Sequence, residues 1–205
     1  VEYIDNNYST IGNRNARVIM GHCFGGFGAI RIAMKHPDVF GIVAANTPML
    51  NLASFEPLIP QIIAENPDSM TGPDPSKFFT SVLYALSAAV SPNLNNPPFY
   101  VDLPFTWPNP KMIGAVKQRW EAQTTPFMRY EYNDKLKTLN GFYFDWGAND
   151  EFSFMWLDPL VFRMGLDIGG IPYYFEEHQG THYNKLYERM EVALKYVSDK
   201  IEVHL

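Results

Sequence analysis

The stretch Arg17-Val18-Ile19-Met20-Gly21-His22-Cys23-Phe24-Gly25-Gly26-Phe27-Gly28-Ala29-Ile30 decides the fold. Val18, Ile19 and Met20 form a short apolar run of the kind that makes a buried strand. The small, amphipathic stretch from Gly26 to Lys35 predicts a helix. Strand, sharp turn and helix in that order are the setting of a nucleophile elbow, G-x-S-x-G, here with Cys23 in the serine position. Gly21 and Gly25 flank Cys23, and the motif predicts that side chains there would collide as strand and helix close on each other. The helix N-terminus points at Cys23 and favours a thiolate or an oxyanion there.

Two other readings of the same residues compete. A lone cysteine is most often a small buried hydrophobe. A glycine-rich turn between strand and helix can also cradle a dinucleotide. Against that, Gly26-x-Gly28 runs on to Arg31 where a third glycine is required. The next strand, Gly41 to Ala45, ends in Asn46-Thr47 rather than in an acid that would hold a ribose. No GxxxxGK[ST] loop occurs in the sequence.

An elbow needs an acid and a base, which follow it in the order nucleophile, acid, histidine. Gly141 to Trp146 reads as a strand that runs into the loop Gly147-Ala148-Asn149-Asp150-Glu151. Active sites of open α/β sheets gather at the carboxyl ends of such strands. Asp158-Pro159 then predicts an N-cap and first turn, for a helix carrying Leu160, Val161 and Met164 and ended by Gly169-Gly170. Ile171 to Glu177 is the next strand, and the loop after it holds His178 and His182. Leu186, Met190, Ala193, Leu194, Val197 and Ile201 recur at helical spacing in the last helix. Glu151 competes with Asp150 for the role of acid, and His178 with His182 for that of base. His22 reads as packing below the turn, His36 as a helix C-terminal cation and His204 as part of a frayed tail.

Gly21-His22-Cys23-Phe24-Gly25-Gly26-Phe27-Gly28-Ala29, Lys35-His36-Pro37-Asp38-Val39-Phe40, Gly147-x-x-Asp150-Glu151-Phe152 and Gly180-x-His182 together resemble the putative-esterase, or esterase-D-like, family of α/β-hydrolases. That family includes S-formylglutathione hydrolases, feruloyl and acetyl-xylan esterases, and mycolyltransferases. The resemblance implies Cys23 as nucleophile, Asp150 as acid, His182 as base and the Phe24 N–H as an oxyanion donor. It departs from the family pattern at Cys23, where the family has serine. It also departs in length, since such proteins have further strands before the elbow strand, including a loop with the second oxyanion donor. The expectation is therefore an open edge on the strand at Ala16–Met20, completed by an N-terminal segment or by a second copy of the chain.

The 205 residues fit one domain, with 46% hydrophobic content to build its core. A net charge of -6 with no basic run argues against nucleic acid. No apolar run approaches the ~20 residues of a membrane span. No metal-ligand spacing occurs, and no cofactor is implied. Between Thr47 and Leu139 the βα rhythm lapses, and 13 of the 16 prolines fall there. That density breaks helices and strands, leaving short helices at Leu58–Glu65, Pro75–Ala88 and Lys111–Glu121 and an extended aromatic segment at Pro97–Trp107. Residues 47–139 read as a cap-like insertion within a single domain of residues 1–205. The fold expected is α/β-hydrolase, its parallel sheet flanked by helices and lacking its N-terminal strands. The function expected is hydrolysis of a small carboxylic ester or thioester by a Cys-His-Asp triad. The alternatives are an acyltransferase to an alcohol or sugar, and a non-catalytic scaffold that keeps the fold.

Overall fold

The computed structural model describes residues 1–51, 56–153 and 159–202. Asp158 and His204, singled out above as a helix cap and a tail residue, lie outside the described residues. The chain divides into two compact units, one of residues 1–50 and 128–205 and the other of residues 51–127.

The first unit is built on four parallel strands, β1 (Val18–His22), β2 (Ile42–Asn46), β3 (Gly141–Gly147) and β4 (Tyr174–His178), lying side by side in that order. Its helices, with those of the second unit, are α1 (Glu2–Asn7), α2 (Phe24–Lys35), α3 (Ile59–Glu65), α4 (Phe78–Val90), α5 (Gly114–Glu121), α6 (Thr125–Leu136), α7 (Pro159–Gly169) and α8 (Leu186–Ser198). Side chains alternate across a sheet, and this alternation sorts the core. Val43 and Ala45 of β2, with Phe142 and Phe144 of β3, pack against Ile30 and Met34 of α2 and Phe162 and Leu166 of α7. Ile42, Ala44 and Tyr143 point the other way, toward Ala193 and Val197 of α8. Asn46 and Asp145 continue that second row, so both lie on the α8 face.

β2 and β3 are buried along their whole length because each has a strand on both sides. β1 is only half-buried, since among the described residues it pairs on one side only. β4 starts at Tyr174, three residues later than the apolar run that begins at Ile171. The reason lies at the end of α7, where Gly170 adopts a left-handed φ of 64°. The Ile171 N–H donates back to Leu166 O (3.0 Å) and the Gly170 N–H to Asp167 O (3.0 Å). That is a Schellman termination, and it uses the Ile171 donor before a strand can. On α7 the buried face is Phe162 and Leu166, whereas Leu160, Val161 and Met164 are each more than half exposed.

The second unit holds α3, α4 and α5, close to the three short helices that the sequence predicts. The Glu65 carboxylate caps α4 by accepting the N–H groups of Phe79 (3.0 Å) and Thr80 (2.7 Å). The Trp120 indole donates to Ser91 Oγ (3.0 Å), which donates in turn to Asp102 O (2.7 Å). The aromatic segment is tied down by isolated bridges, Pro92 with Val101 and Phe105 with Met112, rather than by a sheet. Among the described residues no helix is long and apolar enough to cross a membrane.

Candidate active site

Cys23 stands between the last residue of β1 and the first of α2, with φ 57° and ψ -121°. A side chain with a Cβ is strained at such a φ. The turn is held there by its neighbours. The Cys23 N–H donates to Asn46 O (3.1 Å), and the Cys23 carbonyl accepts from Phe27 N–H (3.0 Å) and Met49 N–H (3.1 Å). The Phe24 N–H lies at the N-terminal end of α2, where helix N–H groups point outward and attract negative charge.

The glycines of the turn divide differently from the sequence expectation. A Cβ on Gly21 would sit 2.1 Å from Gly25 O, so strand and helix do close on Gly21. A Cβ on Gly25 would meet nothing within 4 Å, because Gly25 faces outward. The second tight position is Gly26, where a Cβ would lie 3.0 Å from the Pro48 Cβ. Gly21→Ala is therefore expected to destabilise the fold by about 3 kcal/mol or more, since backbone rather than a flexible side chain must give way. Gly25→Ala should change stability by less than ~1 kcal/mol. Urea melts of the two variants check the contrast.

Asp150 and His182 come from the loops after β3 and β4. The two loops are bound together through main chain. Ala148 N–H donates to His178 O (2.8 Å) and Asn149 N–H to Gly180 O (3.1 Å). Gly147 allows this approach, since a Cβ there would lie 2.7 Å from Gly180 O. The His182 ring reaches Asp150, with Nδ1 2.7 Å from Oδ2, and both side chains are fully buried. The other Asp150 oxygen accepts from Phe152 N–H (2.7 Å), which fixes the carboxylate's orientation. Cys23 also acts electrostatically on the His182 ring and favours its protonated form. Burial pulls the His182 pKa down, but the bond to Asp150 and the electrostatic effect of Cys23 and Asp150 outweigh it and push it up to about 9.

The two rivals have other partners. Glu151 accepts the backbone N–H of His182 (2.9 Å) and so props the loop without reaching the ring. His178 Nδ1 accepts from Gly180 N–H (3.1 Å), and burial lowers the His178 pKa. His22 does more than pack below the turn. Its Nε2 hydrogen-bonds the His182 carbonyl (2.9 Å), and the two rings lie 4.6 Å apart. Phe152 and Tyr183 stand edge-on to the His182 ring at 5.2 and 4.7 Å and complete an aromatic collar. Their positions beside Asp150 and His182 in sequence were the available signal for them.

A family model described as Putative esterase matches residues 1–188. The chain belongs to that esterase family. No curated protein matches it. Among solved structures it is similar to an S-formylglutathione hydrolase from Agrobacterium tumefaciens, at 19% identity and TM-score 0.59, covering 98% of this chain and 54% of that one. It is similar to a ferulic acid esterase at 17% identity and TM-score 0.56, covering 98% and 56%. It is also similar to a fluorophosphonate-binding serine hydrolase of Staphylococcus aureus at 14% identity and TM-score 0.56, covering 98% and 60%. The chain thus has the α/β-hydrolase fold and spans a little over half the length of these structures. Among the described residues no group of three or more His, Cys, Asp and Glu side chains could hold a metal ion.

Proposed function

We propose that this chain carries the catalytic machinery of a carboxylic-ester or thioester hydrolase that works through an acyl-Cys23 intermediate. The observation that carries the reading is the strained Cys23 at the strand-to-helix turn together with a histidine that a buried Asp150 orients and on which Cys23 acts electrostatically. Cys23 Sγ attacks the acyl carbonyl with its thiol proton already held on His182, whose raised pKa favours the imidazolium. The carbonyl oxygen becomes an oxyanion facing the Phe24 N–H. His182 returns the proton to the leaving alcohol or thiol, and a thioester to Cys23 remains. A water then gives its proton to His182 and attacks that thioester, releasing the acid and the free thiol. Asp150 stabilises the imidazolium throughout.

Two further assignments belong to this reading. The insertion between β2 and β3, whose compact part is residues 51–127, follows directly on the strand end beside Cys23, and we assign it to substrate selection. The β1 edge, which pairs on one side only among the described residues, accepts a further strand from an N-terminal segment or a second copy.

The test is a stopped-flow assay with p-nitrophenyl acetate combined with peptide mapping of quenched enzyme. A burst of nitrophenol and an acetyl group on the Cys23 peptide are expected. An added alcohol that diverts the acetyl group to an ester would identify an acyltransferase. No burst and no acetylated Cys23 would leave the non-catalytic scaffold as the reading.

A further inference from the structure

A charged cluster lies under the site on the α8 face of the sheet, and no step of the chemistry above uses it. Asp145 sits in the middle of β3 with no exposed surface. Its Oδ1 accepts the backbone N–H of Thr47 (2.9 Å). Its Oδ2 accepts from Asn46 Nδ2 (2.8 Å), the Tyr143 hydroxyl (2.8 Å) and Arg189 Nε (3.0 Å). Arg189, on α8, also donates to Glu176 of β4 and to the Tyr143 hydroxyl. A buried carboxylate is costly unless every lone pair is satisfied, and here four donors converge on it.

Two of those donors belong to the residues that hold the elbow. Asn46 supplies the carbonyl that accepts the Cys23 N–H. Thr47, the next residue, is itself in a left-handed conformation, φ 41°. A non-glycine residue keeps such a φ only where its surroundings over-determine it, and the bond to Asp145 is one such constraint. Resting on the hydrolase reading above, we propose that Asp145 is a positioning residue for Cys23. It holds the Asn46-Thr47 corner at the carboxyl end of β2, and that corner holds the nucleophile's backbone. Arg189 keeps the carboxylate paired and aimed. No atom of Asp145 meets substrate, and its effect passes through its bonds to the Thr47 N–H and the Asn46 side chain and then through the Cys23 N–H bond to Asn46 O.

The experiment compares Asp145→Asn with Tyr196→Phe. Tyr196→Phe removes a half-buried hydroxyl that accepts from Phe142 N–H (3.1 Å) on the same face, so it perturbs stability without touching the corner. For each variant kcat and KM on p-nitrophenyl acetate and the iodoacetamide rate at Cys23 are measured on folded protein. Asp145→Asn is expected to lower kcat at least tenfold, to leave KM within threefold and to slow alkylation at least threefold. Tyr196→Phe should leave all three within twofold. A smaller kcat effect, or an equal one in Tyr196→Phe, overturns the proposal. If Asp145→Asn does not fold, Asn46→Ala takes its place. It cuts one link to the corner while Asp145 and Arg189 stay paired, and a fall in kcat below threefold overturns the proposal. If the unmodified protein hydrolyses no ester, the hydrolase reading has failed, and the alkylation rate alone decides the positioning role, with slowing of less than threefold overturning it.

Discussion

Cys23→Ala is expected to lower turnover of p-nitrophenyl acetate roughly 10⁴-fold or more, and to abolish the burst. Removing a nucleophile costs about as much as removing its whole catalytic group, because the members act as one unit. Cys23→Ser should behave in the opposite sense and retain or raise ester hydrolysis, since a hydroxyl there meets the same histidine and the same helix N-terminus. The backbone gives an independent reading of the same position. Alanine at φ 57° keeps the strain of the cysteine, whereas glycine at that φ is unstrained. Cys23→Gly should therefore be as inactive as Cys23→Ala yet more stable by about 1 kcal/mol. Steady-state rates and urea melts of the three variants measure both effects. A Cys23→Ala protein that keeps its rate would remove Cys23 from the mechanism.

Asp150→Asn is expected to cost roughly 10³–10⁴-fold in kcat, the scale set when the orienting carboxylate of such a triad becomes an amide. The amide can present the wrong partner to His182 Nδ1 and carries no charge to stabilise the imidazolium. The same substitution should alter how stability depends on pH. The His182 pKa is pushed up from its ordinary 6.5 to about 9, so the folded chain holds this proton more tightly than the unfolded one. Its contribution to stability is complete below pH 6.5 and is lost as pH rises through about 9. Between those values the melting temperature of the unmodified protein should fall, and that slope should flatten in Asp150→Asn. Thermal melts at a series of pH values check the sign. An unchanged slope in the variant would mean that Asp150 does not hold the proton on His182.

The first three strands were legible because each is an apolar run ending in a glycine or polar loop, and β4 because the run from Ile171 leads into it. Position after two strand ends narrowed the acid to Asp150 or Glu151 and the base to His178 or His182, and the resemblance carried by Gly147-x-x-Asp150 and Gly180-x-His182 implied the choice. What was hidden depends on contacts between distant segments. Gly25 looked like a packing glycine beside Cys23, but the helix turns it outward and brings Gly26 against Pro48 instead. Leu160, Val161 and Met164 mark α7 as an apolar stretch, but its buried face is Phe162 and Leu166. Asp145 carried a signal that went unused. A single carboxylate inside Phe-Tyr-Phe-Asp-Trp, a strand buried on both faces, requires a cation or several donors. Arg189 is 44 residues further along the chain, so sequence alone does not supply the partner.

The main-chain bonds between the Asp150 and His182 loops bear on how this scaffold changes over generations. Ala148, Asn149, His178 and Gly180 help fix the spacing of those loops through peptide groups, and the Glu151 and Asn149 side chains add to them. Cys23 is likewise held by peptide groups of Asn46, Phe27 and Met49. None of these bonds involves the side chain of Cys23, Asp150 or His182. A mutation at any of the three positions therefore alters the reagent while the apparatus that presents it stays in place. One nucleotide change can exchange a hydroxyl for a thiol at residue 23 and leave a folded protein for selection to act on. Inheritance of the frame and inheritance of the chemistry are separable in this molecule.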